Sequence, residues 1–300
     1  MGKELTIVLG PTGVGKTDYS IELAQQYNCP IINCDSRQIY REMKIGTAPP
    51  SEQQLRQVQH YFVHSHSVEQ YYTAGLYEIE AMALLEKLFV EYDKLVMVGG
   101  SGMYIDALCN GLDDFPKADL QLRESLMERL QNEGLENLRQ QLRVVDRESY
   151  DSIDIANPQR VVRALEVTLQ TGRKFSDWKS APKKERPFKI NKIGINRDRE
   201  ELYDRINRRV DMMMEEGLLE EAKSVYEYKH LNSLNTVGYK EMFMYLDGEW
   251  TLDFAIEKIK QNSRIYSRKQ MTWFKRDADI TWFHPDLKEE IMNHINNLLL

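Results

Sequence analysis

Gly10-Pro-Thr-Gly-Val-Gly15-Lys16-Thr17 matches the spacing G-x-x-x-x-G-K-[ST], which does one kind of chemistry. The glycines let backbone N–H groups curl round a phosphate, and the following helix turns its positive end toward the same point. Lys16 can reach the outer phosphate, and the Thr17 hydroxyl can hold Mg²⁺. Gly10, Pro11, Thr12, Gly13, Val14, Gly15, Lys16 and Thr17 are therefore expected to bind a di- or triphosphate, with Thr17 as the metal ligand. Most such loops hold ATP or GTP, so a kinase is the first reading. A nucleotide site should also have a Mg²⁺ aspartate at the end of a later strand. Here Leu95-Val-Met-Val98 runs into Gly99-Gly100-Ser101-Gly102 instead. A diphosphate outside any nucleotide fits as well.

A second reactive residue follows the next apolar stretch. Ile31-Ile32 leads through Cys34 to Asp35-Ser36-Arg37-Gln38. A carboxylate at a strand end can take a proton from an incoming nucleophile, or hold a metal through water. Asp35 could equally cap the helix that follows, with Ser36 as the alternative cap.

These residues need a sheet to position them. Leu5–Leu9 is a short strand signal, Thr17–Tyr27 reads as a helix carrying Ile21, Leu23 and Ala24, and Ile31-Ile32 is a second strand. Tyr77–Tyr92 is a long amphipathic helix that feeds the strand Leu95–Val98. Strand and helix in alternation imply a parallel sheet with its loops, and its ligands, at the strands' carboxyl ends. After Gly111 the texture becomes helical, over about Asp119–Asn132, Leu135–Val144 and Pro158–Gln170. Turn-rich links, Asp113–Lys117 and Pro182–Pro187, flank this region, and Lys189–Ile195 resumes a strand. The remainder reads as helices: Arg199–Gly217, Leu218–Tyr228, Lys240–Leu246 and a long one through Lys258–Phe274. The expected architecture is an α/β P-loop core, a parallel sheet flanked by helices, over 1–112 and 188–300. An all-helical insertion occupies 113–187.

Composition narrows the setting. No apolar run approaches the ~18 residues of a membrane span, and Met-Gly-Lys-Glu runs straight into a strand, so no signal peptide is expected. Cys29, Cys34 and Cys109 are odd in number without a CxxC spacing, which points to a reducing, cytoplasmic setting. The net charge of −7 speaks against a nucleic-acid partner only if charge is evenly spread. It is not: Lys258–Arg276 carries Lys258, Lys260, Arg264, Arg268, Lys269, Lys275 and Arg276 without one acid. That run reads as a phosphate-holding face or as a solvated helix face. Trp273 and Phe274 could stack on a base or pack the last helix. His60, His64 and His66 are expected to be ordinary hydrogen-bonded histidines, and Met212-Met-Met214 core packing.

The motifs taken together resemble the tRNA dimethylallyltransferase family. The resemblance rests on Gly10–Thr17, Asp35-Ser-Arg-Gln-Ile-Tyr40, Ile45-Gly-Thr-Ala48 and Gly99-Gly-Ser-Gly-Met-Tyr104. It continues through Asn157-Pro-Gln-Arg-Val-Val-Arg-Ala-Leu-Glu166, Val237-Gly-Tyr239 and Arg268-Lys-Gln-Met-Thr-Trp-Phe274, in the family's order and over nearly the whole chain. The phosphate loop is generic; Asn-Pro-Gln-Arg with Arg-Ala-Leu-Glu and Lys-Gln-x-Thr-Trp is specific.

The resemblance implies transfer of a dimethylallyl group from dimethylallyl diphosphate to N6 of the adenosine 3′ of the anticodon, with Mg²⁺ as cofactor. It implies Asp35, Ser101 and Arg209 as catalytic residues: Asp35 the base, Ser101 at the bridging oxygen and Arg209 a diphosphate clamp. It carries tRNA contacts to Asp35, Ser36, Arg37, Gln38, Ser101, Arg123 and the helix residues Gln159, Arg160, Val161, Val162 and Arg163. Further contacts fall on Asn235, Thr236, Val237, Gly238, Tyr239 and Lys240. The partners implied are the tRNA anticodon loop and dimethylallyl diphosphate, for a monomer away from membranes. Ser101 stands where the family commonly has Thr, and Thr47-Ala-Pro-Pro50 replaces Thr-Ala-Lys-Pro, removing one positive charge. The sequence lacks the C-terminal zinc finger of eukaryotic members, in keeping with the bacterial form. Competing readings are an isopentenyltransferase acting on free adenine nucleotides, a P-loop kinase and a nucleotide-switched RNA-binding regulator.

Overall fold

Strands that alternate with helices bury both faces of a sheet, and a helical crossover carries the chain back to the edge it started from, so the strands run parallel. The computed structural model, which describes residues 2–112, 115–178 and 184–297, has this arrangement. In chain order the first elements are β1 (Glu4–Leu9), α1 (Lys16–Tyr27), β2 (Ile31–Asn33), α2 (Glu52–Gln57), β3 (His60–Tyr61), α3 (Ala74–Glu91), β4 (Lys94–Gly99) and α4 (Gly102–Asn110). A helical stretch follows with α5 (Leu120–Glu133), α6 (Leu135–Val145), α7 (Arg147–Ser152) and α8 (Pro158–Thr171). The chain then forms β5 (Lys189–Ile195), α9 (Arg199–Glu215), α10 (Leu218–Ser224), α11 (Tyr239–Leu246), α12 (Leu252–Phe274), β6 (Ile280–Phe283) and α13 (Lys288–Asn297).

The sheet has six parallel strands in the order β3-β2-β4-β1-β5-β6. β1 lies inside it, and Leu5, Ile7 and Leu9 are fully buried. The register sets the site. Leu9 pairs with Gly99 of β4 and with Gly194 of β5, while Asn33 pairs with Val98. The phosphate loop, Asp35 and the Gly99–Ser101 turn thus leave the same edge at the same height, where ligands of open parallel sheets bind.

The sequence reading anticipated the parallel core but missed β3 and β6 at the sheet's edges. Two residues give no periodicity, and Ile-Thr-Trp-Phe of β6 is too short to separate from loop. The helix expected over Leu218–Tyr228 ends at Ser224 and gives way to a 3₁₀ turn at Tyr226–Tyr228. α12 begins earlier than expected, at Leu252, because the Thr251 side chain accepts from Phe254 N and caps it. Of the two links, Asp113, Asp114, Pro182 and Lys183 lie outside the described residues.

Contacts divide the chain into two compact units, residues 1–109 with 186–300, and residues 110–185. The smaller unit is helical and closes on Leu126, Leu138, Leu142, Val161, Val162, Ala164 and Leu165. Asn157 opens α8 by accepting from Gln159 N and Arg160 N, and Pro158 costs nothing at a position whose N–H has no helical partner. Asp146 is fully buried and accepts from the backbone N–H and the hydroxyl of both Ser149 and Ser176. Burial pushes its carboxyl up, but these hydrogen bonds outweigh it and hold Asp146 below the usual carboxylate range.

A carboxyl depressed in the folded state adds stability above its unfolded pKa and loses it as pH falls through the folded value. The smaller unit should therefore loosen on acidification below about pH 3.8. Asp146→Ala, which strands four buried donors, should cost roughly 2–4 kcal/mol at neutral pH. Hydrogen exchange at Leu138, Leu142 and Val161 is the local readout, and unchanged protection in the variant would refute this account.

Candidate active site

The phosphate loop is built by close approaches that side chains would block. Gly10 has φ 151°, and a Cβ there would lie 2.3 Å from the Ile195 carbonyl oxygen of β5. Gly15 opens α1 in the left-handed region. The loop's carbonyls are tied down by arginines of the core: Arg205 Nε donates to Gly13 O at 2.9 Å and Arg197 Nε to Val14 O at 3.1 Å. Gln270 of α12 bridges two turns, accepting from Thr12 N at 2.9 Å and donating to Gly100 O at 2.8 Å. The N–H groups from Gly13 to Thr17 meet no acceptor among the described residues. A loop with satisfied carbonyls and open amides is an anion cradle.

Charge converges on it. Lys16 Nζ donates across the loop to Pro11 O at 2.8 Å. Burial pushes the Lys16 ammonium down to about 8, against the upward pull of Asp35. Arg209 of α9 donates to Thr12 Oγ1 at 3.2 Å and to Ala48 O at 2.9 Å. Burial lowers Arg209 to about 10, again opposed by Asp35, so it stays charged at neutral pH. Asp35 Oδ1 accepts from Arg37 N at 2.9 Å and Gln38 N at 3.4 Å, while Oδ2 takes no hydrogen bond from any described residue. The carboxylate is thus oriented by its own turn and keeps one oxygen open.

Two cavities meet here. One, of about 570 Å³, is lined by Lys16, Thr17, Arg205, Arg208 and Arg209, with Asp35 the one acid among its described lining residues. The other, of about 380 Å³, is lined by Ile206, Val210, Met213, Tyr266, Lys269 and the segment Asn235–Gly238 with Lys240. Thr12, Asp35, Thr47 and Arg209 belong to both linings. A cationic chamber and a more apolar one therefore share a wall that carries the carboxylate.

The other expected site residues separate into groups. Ser36 and Arg37 line the smaller cavity, but the Arg37 guanidinium is anchored to Asn232 O and Ser233 O. Gln38 lines the larger cavity and donates to Thr47 O and Ala48 O. The Ser101 hydroxyl accepts from Ser36 N at 2.9 Å and lies 3.1 Å from Ser36 Oγ, and Ser101 lines neither cavity. Asn235, Thr236, Val237, Gly238 and Lys240 line the smaller cavity, whereas the Tyr239 side chain is fully buried in the core beside it. In the smaller unit Val161 and Val162 are core residues, and Gln159 and Arg160 are exposed on the first turn of α8. Arg123 and Arg163 both pair with the fully buried Glu166, at 2.6 and 2.9 Å.

Sequence reasoning missed the role of Gln270 and missed Glu221. Glu221 accepts from the backbone N–H groups of Lys44, Ile45 and Gly46 and from the Tyr239 hydroxyl. A Cβ on Gly46 would sit 2.6 Å from the Tyr239 ring, so the Ile45-Gly-Thr-Ala48 signal reports this packing. No local pattern marks Glu221, because the partners it serves are distant in sequence. Met213 and Met214 pack against the core as expected, Met213 bordering the smaller cavity as well, whereas Met212 is exposed and lines the larger one. Trp273 packs: its Nε1 donates to Asp106 at 2.9 Å, its ring presses on Gly102, and Arg276 covers its face. The acid-free run is also less free than it looks, since Lys260 pairs with Asp211 and Glu257, and Arg264 with Asn207. His60 Nδ1 and His66 Nδ1 have hydrogen-bond partners, whereas the buried Nε2 atoms of His60 and His64 have none, and burial lowers the pKa of both.

A phosphate loop that opens through a shared carboxylate onto a second chamber defines a P-loop enzyme core for group transfer between two substrates. A family model described as IPP transferase matches residues 38–277. The chain is 56% identical over 298 residues to tRNA dimethylallyltransferase 1 of Phocaeicola vulgatus, covering 99% of each. It resembles the crystal structure of the full-length tRNA isopentenylpyrophosphate transferase of Bacillus halodurans (TM-score 0.73, 35% identity, 99% of this chain and 96% of that one). It also resembles a eukaryotic dimethylallyltransferase solved acting on tRNA (TM-score 0.84, 25% identity, 99% and 80%). The chain belongs to the IPP transferase family, as one of its bacterial tRNA dimethylallyltransferases. Among the described residues no helix is long and apolar enough to cross a membrane.

The buried lysine makes anion binding pH-dependent. Inorganic diphosphate should bind best below about pH 8, where Lys16 is charged, and weaken about tenfold by pH 9. Lys16→Met should bind weakly throughout and lose that step. Calorimetric titration across this range decides it; a Lys16→Met profile with the wild-type step would refute the assignment.

Proposed function

We propose that this chain transfers a dimethylallyl group from dimethylallyl diphosphate to N6 of the adenosine 3′ of the anticodon in tRNA. The observation that carries the site assignment is the shared wall: Asp35, Thr12 and Arg209 border both the cationic chamber and the more apolar one. The diphosphate fits the chamber with Lys16, Arg205, Arg208 and Arg209, and the five-carbon tail points past Thr12 toward Ile206, Val210 and Met213. The adenine enters from the side of Asn235–Lys240. Thr17 offers one hard hydroxyl oxygen beside the loop, which suits an ion that takes its other ligands from phosphate and water. Mg²⁺ bound there would supply charge against the diphosphate oxygens.

The exocyclic N6 is a weak nucleophile because its lone pair is delocalised into the ring. The allylic carbon compensates, since loss of diphosphate leaves a resonance-stabilised, cation-like centre. As the C–O bond breaks and the C–N bond forms, negative charge grows on the departing oxygen. Lys16, Arg209 and the open loop amides stabilise it without rearranging. Asp35, held by Arg37 N and Gln38 N, accepts the N6 proton through its open oxygen as that proton acidifies. Ser101 organises the Ser36 end of this turn through its two contacts there, and so positions the carboxylate. The product is N6-dimethylallyl adenosine with free diphosphate.

The adenine must leave its stack to reach this wall, at a cost of a few kcal/mol that a single-stranded loop lowers. In the smaller unit, Gln159 and Arg160 on the exposed start of α8, with Arg123 and Arg163, contact the tRNA. Their shared partner Glu166 holds both guanidinium groups in fixed orientation.

Radiolabelled dimethylallyl diphosphate, Mg²⁺ and unmodified tRNA should yield label in one anticodon-loop adenosine. Asp35→Asn keeps an acceptor for Arg37 N but removes the base. Its turnover should fall about 10²–10⁴-fold with tRNA affinity nearly unchanged. Unaltered turnover would overturn the assignment of Asp35, and labelled phosphate moving from ATP to an acceptor would overturn the reaction.

A further inference from the structure

Glu241 is 1% exposed and takes no part in the transfer described above, so its burial requires another reason. It follows the segment that borders the smaller cavity and lies in the first turn of α11. One oxygen accepts from Gly238 N at 2.8 Å and the other from Asn262 Nδ2 of α12 at 2.7 Å. A carboxylate only accepts hydrogen bonds, so it fixes which end of the Asn262 amide faces it. The NH₂ group turns to Glu241, and the carbonyl oxygen Oδ1 is the end left over. Among the described residues no donor reaches that oxygen, and Asn262 lines the smaller cavity with Asn235, Gly238 and Lys269.

From this geometry we infer that Asn262 is a specificity-determining residue, whose Oδ1 accepts a hydrogen bond from the 6-amine of adenine or the 4-amine of cytosine in that cavity, the place where guanine and uracil carry a keto oxygen. The assignment rests on the reading of the smaller cavity as the RNA side of the reaction. A neutral carbonyl held in one orientation rewards an amine and leaves a keto oxygen facing it unpaired. It therefore favours adenine or cytosine over guanine or uracil at that place. Glu241 supplies the orientation and, through Gly238 N, ties it to the loop that lines the same pocket. Loss of Asn262 should then affect RNA recognition and leave the diphosphate chamber alone, since Asn262 does not border it.

The test is a double-substitution cycle on the full-length protein with an anticodon stem-loop RNA. Each loop adenosine is replaced in turn by purine riboside and each cytidine by pyrimidin-2-one riboside, removing only the amine. Wild-type affinity should drop about fivefold at one position, the scale of one neutral hydrogen bond. Asn262→Ala should bind the unmodified RNA about fivefold more weakly and show no further loss at that position. Binding of inorganic diphosphate, unchanged in the variant, reports an intact fold. Should Asn262→Ala not fold, Asn262→Ser still donates to Glu241 but is too short to reach the cavity, and gives the same cycle. A variant as sensitive as wild type at every position overturns the assignment alone. A wild-type protein that binds no RNA overturns the reading beneath it as well.

Discussion

Two partly buried cations, Lys16 and Arg209, stand beside a single carboxylate at the floor of the sheet edge, and everything else in the core serves that imbalance. Buried positive charge is costly unless paired, and Asp35 is close enough to oppose the shift of both without forming an ion pair with either. Lys16 is tethered to Pro11 O and Arg209 to Thr12 and Ala48, so neither can move out to solvent without losing those bonds. An incoming polyanion balances both cations, and part of the binding energy is the relief of that cost. The same preorganisation stabilises charge as it develops on a departing diphosphate.

Holding such a site requires rigidity from outside the loop. The parallel register brings the ends of β1, β2 and β4 to one height, but it does not fix the loops beyond them. α9 and α12 do that. Arg205 and Arg209 come from one helix and Gln270 from the other, and each reaches the phosphate loop. Glu221 performs the equivalent task for Ile45–Gly46 on the far wall. The late part of the chain thus supplies the second half of a site whose first half is written in the opening forty residues.

This division explains what was legible in the sequence. The phosphate loop, the strand-end aspartate and the parallel core rest on local rules of spacing and periodicity, and a single segment carries each rule. Arg209 was legible only through family resemblance, since nothing local distinguishes it from Arg205 or Arg208. Gln270 was legible only as part of a family motif, without its role, and Glu221 and Glu241 were not legible, because each acts on groups far along the chain. The histidines and methionines show the reverse case. His60, His64 and His66 stand close together in the sequence, yet among the described residues no group of three possible metal ligands forms. Of the run Met212–Met214, Met213 and Met214 pack against the core while Met212 is exposed at the larger cavity, because consecutive positions of α9 face different sides.

The acidic net charge is reconciled with an RNA substrate by the same argument. Cations of the long basic helix are partly neutralised by neighbours, as the half-buried Lys260 is by the exposed Asp211 and Glu257. Pairs of that kind contribute little to binding. The cations that count are few, partly buried and line the chambers, where a lowered dielectric strengthens each one. A protein built this way needs no broad basic surface. It attracts a polyanion weakly at long range and strongly only once the reacting groups have entered, so discrimination is concentrated at the base and the diphosphate. On that view the acidic surface is part of the selectivity, because it gives nonspecific RNA little to hold.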